Sequence, residues 1–178
     1  MLQSLYAKLS LSLIVLLITV GIFYTCLSFY STSLYLKEMG QKLNADLAKN
    51  LVTDRHLIDK GRLNEKALSD TFMEYMVINP SIELYLLDEK GAILSYSAEP
   101  GKGKRHTHSL APNDAFLNGE QFPLLGDDPR SHDKQKVFSV TPIPGGSKVE
   151  NYLYIVLHGE LYDHTEQLIK DSLLWRQS

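Results

Sequence analysis

The chain has 178 residues, 18 Lys+Arg against 21 Asp+Glu, 44% hydrophobic and 22% charged residues, and one cysteine. That composition suits a single globular domain and excludes a disordered tail, a disulfide scaffold and a polytopic membrane protein. A net charge of −3 lacks the basic footprint of a nucleic-acid binder, so no DNA or RNA partner is expected.

The first element is apolar. Leu9 to Leu36 runs without a charge between Lys8 and Lys37, and about 20 such residues suffice to cross a bilayer. The run has no small-residue cleavage site at its end, as a signal peptide would need, and Tyr24, Phe29, Tyr30 and Tyr35 suit an interfacial belt. We read residues 9–32 as an uncleaved transmembrane helix, the rivals being a signal peptide or a buried core helix. Only Lys8 and the amino terminus charge the short arm, so residues 1–8 are expected in the cytoplasm and the remainder outside. Cys26 is the sole thiol and lies in the span, which leaves the outer part without a disulfide or a thiolate metal site.

From Ser33 the period becomes helical, with Leu36, Met39, Leu43, Leu47 and Leu51 separated by polar positions that include Gln41. This predicts a juxtamembrane stalk helix over 33–60, closed by a turn near Asp59-Lys60-Gly61-Arg62. Its apolar stripe packs either on its own domain or on a second copy as a homodimer stalk. Asn64 caps a second helix through Leu68, Phe72, Tyr75 and Met76, which Asn79-Pro80 ends.

Beyond Pro80 the period falls to two. Ile82–Leu87 and Ala92–Ser97 predict a hairpin around Asp88-Glu89-Lys90-Gly91, and residues 99–108 a basic loop. A short helix is expected at Pro112–Leu117, a long loop at Gly126–Gln135, and strands at Lys136–Ile143 and Tyr152–Leu157. Leu161–Trp175 is expected to be an amphipathic exit helix. The fold class is therefore α+β: a transmembrane helix and a long helix, then an antiparallel sheet with short helices and a C-terminal exit helix.

Alternation separates two sheet faces. Ile82, Leu84, Leu86, Leu153, Ile155 and Leu157 form an apolar face expected to pack on the long helix. The other offers Glu83, Tyr85, Tyr152, Tyr154 and His158, joined by Ser139 and Thr141 or by Phe138 and Val140, depending on register. Tyr85, Arg105, Arg130, Ser139, Tyr154 and His158 are candidate ligand-binding residues, because a pocket combines apolar walls with a few polar groups. Should the loops meet, Arg105 or Arg130 can clamp a carboxylate in a bidentate fork. His106, His108, His132 and Asp128 are weak candidates for a divalent metal, although imidazoles and carboxylates in loops are more often solvated. Gly126-Asp127-Asp128-Pro129-Arg130 is equally well read as a turn. No enzyme motif is present and no cofactor is expected.

The run Ile82–Leu94, then Val137–Ile143, then Tyr152–Leu157, resembles the extracytoplasmic PAS-like (Cache-type) sensor domain of bacterial membrane receptors. The opening Leu5–Leu11 and the stretch Leu124-Leu125-Gly126-Asp127-Asp128-Pro129-Arg130 are similar to the N-terminal half of a two-component sensor histidine kinase. The resemblance implies a PAS-like sensor domain over 61–160, an exit helix over 161–178 leading to a second span, and signal transmission by a shift of that helix against the entry helix. It also implies a single-pass protein of the bacterial inner membrane with a periplasmic main domain, a small-molecule or ion ligand, and no catalytic site in this chain. The alternative is an anchored binding or assembly module of the cell envelope without signalling output.

Overall fold

A computed structural model describes residues 5–79, 81–97, 105–145 and 148–157. The chain divides into two compact units, Met1–Lys37 and Glu38–Ser178. The expected exit helix at Leu161–Trp175, His158 and most of the basic loop lie outside the described residues.

α1 (Leu5–Leu43) is one uninterrupted helix of 39 residues, long and apolar enough to cross a membrane. Leu13, Ile14, Leu16 and Phe23 are all exposed on it. Three of its hydroxyls are satisfied within the helix: Ser12 Oγ donates to the Leu9 carbonyl, Thr19 Oγ1 to Val15 and Thr25 Oγ1 to Gly21. Such back-bonding lets polar side chains sit in an apolar helix without an unmet donor.

The helix expected to run on to residue 60 breaks after Leu43. A turn at residues 44–46 separates it from α2 (Leu47–Asp54). The break is stabilised from outside the helix. Asn44 Nδ2 turns back to the Gly40 carbonyl at 2.8 Å, while Ser139 Oγ donates to the Ala45 carbonyl (2.8 Å) and accepts from the Ala48 N–H (3.2 Å). The sheet thus supplies partners for backbone groups that the break would leave unmet.

A two-stranded ribbon follows, β1 (Ile58–Asp59) and β2 (Arg62–Leu63), around the turn expected there. Lys60 and Gly61 both have positive φ, 49° and 77°, the handedness that matches the twist of a tight hairpin. α3 (Glu65–Ile78) begins at Asn64, whose side chain accepts from the Ala67 N–H, and ends at Asn79.

The main sheet has five antiparallel strands in the order β4-β3-β7-β6-β5. They are β3 (Glu83–Asp88), β4 (Ile93–Tyr96), β5 (Leu125–Asp127), β6 (Gln135–Gly145) and β7 (Lys148–Val156). α4 (Ala111–Leu117) lies between β4 and β5 in the chain. The three-residue β5 occupies the start of what the sequence presents as a loop. It is too short for period-two alternation to reveal, and its pairing with β6, Leu125 opposite Val137, creates it.

One sheet face carries Leu84, Leu86, Leu153, Ile155 and Val137 and packs on Ala48, Leu51, Leu57, Leu68 and Phe72. It is therefore covered by α2, α3 and the segment between them rather than by one long helix. The other face carries Tyr85, Leu87, Phe138, Val140, Tyr154 and Val156, with Phe116 of α4, Ile93, Leu124 and Tyr152 around it. The register, Val140 opposite Tyr154 and Ser139 opposite Ile155, decides the open question in favour of Phe138 and Val140 on this second face.

Candidate functional site

The second face holds a buried polar layer. Glu83 opens β3, and period two points it the same way as Tyr85. Tyr85 Oη donates to Glu83 Oε2 at 2.6 Å, and Arg130 Nε lies 2.9 Å from the same oxygen as an ion pair. Glu83 and Tyr85 are each only 2% exposed. Burial, with the Glu83 carboxylate second, holds the Tyr85 phenol far above its usual range, so it serves as a donor.

The chain from Asp127 to Asp133 and the segment from Arg105 to Ser109 do meet. Arg105 Nη1 pairs with Asp127 Oδ2 at 2.9 Å, Arg105 Nε donates to the Ser131 carbonyl at 2.7 Å, and Nη2 donates to the His132 carbonyl. The Arg105 N–H donates to the Pro129 carbonyl, and the Ser109 N–H to Asp127 Oδ2. Asp128 is buried between the Arg130 N–H, which it accepts at 3.0 Å, and Lys136 Nζ at 3.5 Å. The guanidinium groups read as possible ligand forks thus already face carboxylates of the chain itself, Arg130 on Glu83 and Arg105 on Asp127.

Tyr154 is the centre of this face. Its ring stacks on Phe138 at 5.0 Å and meets the His108 ring at 4.2 Å, and its hydroxyl donates to the Asp127 carbonyl at 3.2 Å. Gly126 makes the approach possible, since a Cβ there would stand 2.3 Å from Tyr154 Oη and 2.9 Å from the Phe138 ring. Burial pushes the Tyr154 phenol well above its ordinary value.

His108 is 4% exposed, and its Nε2 lies 3.2 Å from Oδ1 of Asn113, which is fully buried. His108 Nδ1 and Asn113 Nδ2 have no hydrogen-bond partner among the described residues. Burial, the largest influence, lowers the His108 pKa, with the charge of Arg105 adding to it and Asn113 and Asp127 opposing it. Its backbone locks a hairpin: the His108 N–H donates to the Gly91 carbonyl at 2.7 Å, and Gly91, at φ 84°, has the His108 carbonyl where a Cβ would stand.

Of the six residues read as ligand-binding, Tyr85, Tyr154, Arg105 and Arg130 belong to this second-face network. Ser139 does not; it points to the first face and bridges the α1–α2 break. His158 lies outside the described residues. The metal candidates are not brought together: His106 and His132 are exposed, His108 and Asp128 buried, and no group of three or more His, Cys, Asp or Glu suited to a metal occurs among the described residues. Gln41, Asn113 and Lys136 carry no signal in the sequence, because each looks like an ordinary polar surface position until the fold buries it or pairs it.

Comparison with family models, curated proteins and solved structures finds no match to the chain.

Proposed function

We propose that this chain is a membrane-anchored sensing module, the PAS-like extracytoplasmic part of a two-component sensor histidine kinase of the bacterial inner membrane. One observation carries the proposal. A helix long and apolar enough to cross a membrane belongs to the same chain as a five-stranded antiparallel sheet of order β4-β3-β7-β6-β5, with α2 and α3 on one face and α4 beside a buried layer of aromatic and polar groups on the other. In this reading Tyr85, Tyr154, Arg105 and Arg130 respond to a small carboxylate, amino acid or ion. The ligand acts by binding one arrangement of the network better than another, since only differential affinity moves such an equilibrium. The membrane-proximal part of α1 is where a second copy would pair.

The internal pairing of both arginines favours a second reading, an anchored binding or assembly module whose network is closed and structural. A thermal-shift screen of the full chain in lipid nanodiscs against small carboxylates, amino acids and divalent metals separates the two. A ligand that binds only the folded state raises the midpoint. A rise with one ligand class, lost in Arg130→Met or Arg105→Met, supports the sensor; no rise with any class, from a sample that melts cooperatively, supports the assembly module.

A further inference from the structure

Gln41 lies in the last turn of α1, on the helix that also carries the apolar span. It is fully buried, although its neighbours Lys42 and Leu43 are exposed. Its side-chain amide makes three hydrogen bonds, all to backbone: Nε2 donates to the Leu124 carbonyl (3.0 Å) and the Phe138 carbonyl (2.9 Å), and Oε1 accepts from the Leu124 N–H (2.7 Å). The β5–β6 ladder reaches Leu125 opposite Val137, so Leu124 opposite Phe138 would be its next rung. Gln41 takes the place of that rung. The two strands part there, and a helix side chain satisfies the groups a strand would otherwise pair.

Six residues further on from Leu124, the same stretch reaches Arg130. Along the way Asp127 holds Arg105, and Gly126 is wedged under Tyr154 and Phe138. At its end Arg130 meets Glu83 across the sheet. Residues 124–130 are thus tied to α1 at one end and to the second-face ion pairs at the other, with no slack at Gly126.

We propose that Gln41 is a positioning residue that couples the last turn of α1 to the Arg130–Glu83 and Arg105–Asp127 pairs through residues 124–130. A change at the ion pairs shifts this stretch and loosens the amide bonds at the end of α1. Loosening α1 disturbs the pairs in return, as coupling between two sites must be reciprocal. This inference deepens the sensing reading by naming its output path, and it rests on that reading only for its purpose.

The test is amide hydrogen exchange by mass spectrometry on the full chain in nanodiscs, comparing wild type, Arg130→Met, Gln41→Met and the double variant. Without any change at Gln41, Arg130→Met is expected to speed exchange at residues 38–48 roughly tenfold more than in α3 at 65–78. Once Gln41→Met is present, adding Arg130→Met should change exchange at 38–48 by less than about twofold, because coupled sites are not additive. An equal rise at 38–48 and 65–78, a response confined to 124–131, or effects that multiply would overturn the coupling. If Gln41→Met fails to fold, Arg130→Met and Glu83→Gln in the wild-type background decide by the same comparison with α3. Coupling without any ligand-induced thermal shift would remove the sensing reading and keep the device; a ligand-induced shift without coupling would do the reverse.

Discussion

The two faces of one sheet are buried to a similar depth by different chemistry. On the first, Leu84, Leu86, Leu153 and Ile155 meet helix side chains, and stability scales with apolar area removed from water. On the second, Tyr85, Tyr154 and Phe138 share the space with Glu83, Arg130, Asp128 and His108, and the buried carboxylates of Glu83 and Asp128 depend on cationic partners. The first face tolerates change in proportion to volume. The second is sensitive to charge, because loss of one partner leaves a buried group to bear its desolvation cost. A surface built in the second way can respond to a proton or a ligand; one built in the first way holds the fold.

Four substitutions probe this contrast, and urea midpoints of the full chain in detergent measure them. Leu153→Ala, at a fully buried first-face position, is expected to cost about 3 kcal/mol through lost transfer and a cavity. Arg130→Met should cost slightly less, about 2 kcal/mol, since the ion pair with Glu83 is buried but the Arg130 side chain keeps 16% exposure. Adding Glu83→Leu should restore part of that loss; if the two costs simply add, the second face is no charge-dependent layer. Gly126→Ala tests the close approach of Tyr154 and Phe138, and a cost of about 1–2 kcal/mol is expected from overpacking.

The smallest effect concerns pH. Burial lowers the His108 pKa in the folded chain, so on acidification the unfolded chain takes up the proton first. The stability that neutral His108 allows is complete above the ordinary imidazole value of 6.5 and is lost as pH falls through and below it. His108→Gln should flatten the stability profile in that window while leaving the first-face substitution just as costly there.

Much of the architecture was legible in the residues. The charge-free stretch from Leu9 to Leu36, the Asn64 cap, the hairpin turn at Asp88–Gly91 and the strands of β3, β6 and β7 all announce themselves by period or by turn chemistry. Each is a local preference, and the fold agrees with it. The helix expected over 33–60 is the instructive departure. Its apolar period continues past Leu43, but Ser139, almost a hundred residues away, supplies the bonds that make a break there cheap.

The candidate site was legible in its residue types and not in its pairings. Arg105 and Arg130 stood out as cations near carboxylates, yet nothing local says that Arg130 reaches Glu83 on β3 or that Arg105 binds the loop after β5. Ser139 was ambiguous for a simple reason: period two assigns a strand two faces, and one step of register decides which of them meets the helices. Gln41 was invisible, because a glutamine between Gly40 and Lys42 looks solvated until β5 and β6 part around it. Helices, turns and strand alternation follow from interactions between near neighbours along the chain and can be read from it directly. Registers, buried ion pairs and a helix side chain acting as a strand rung depend on contacts between distant residues, and these come into being only when the sheet closes.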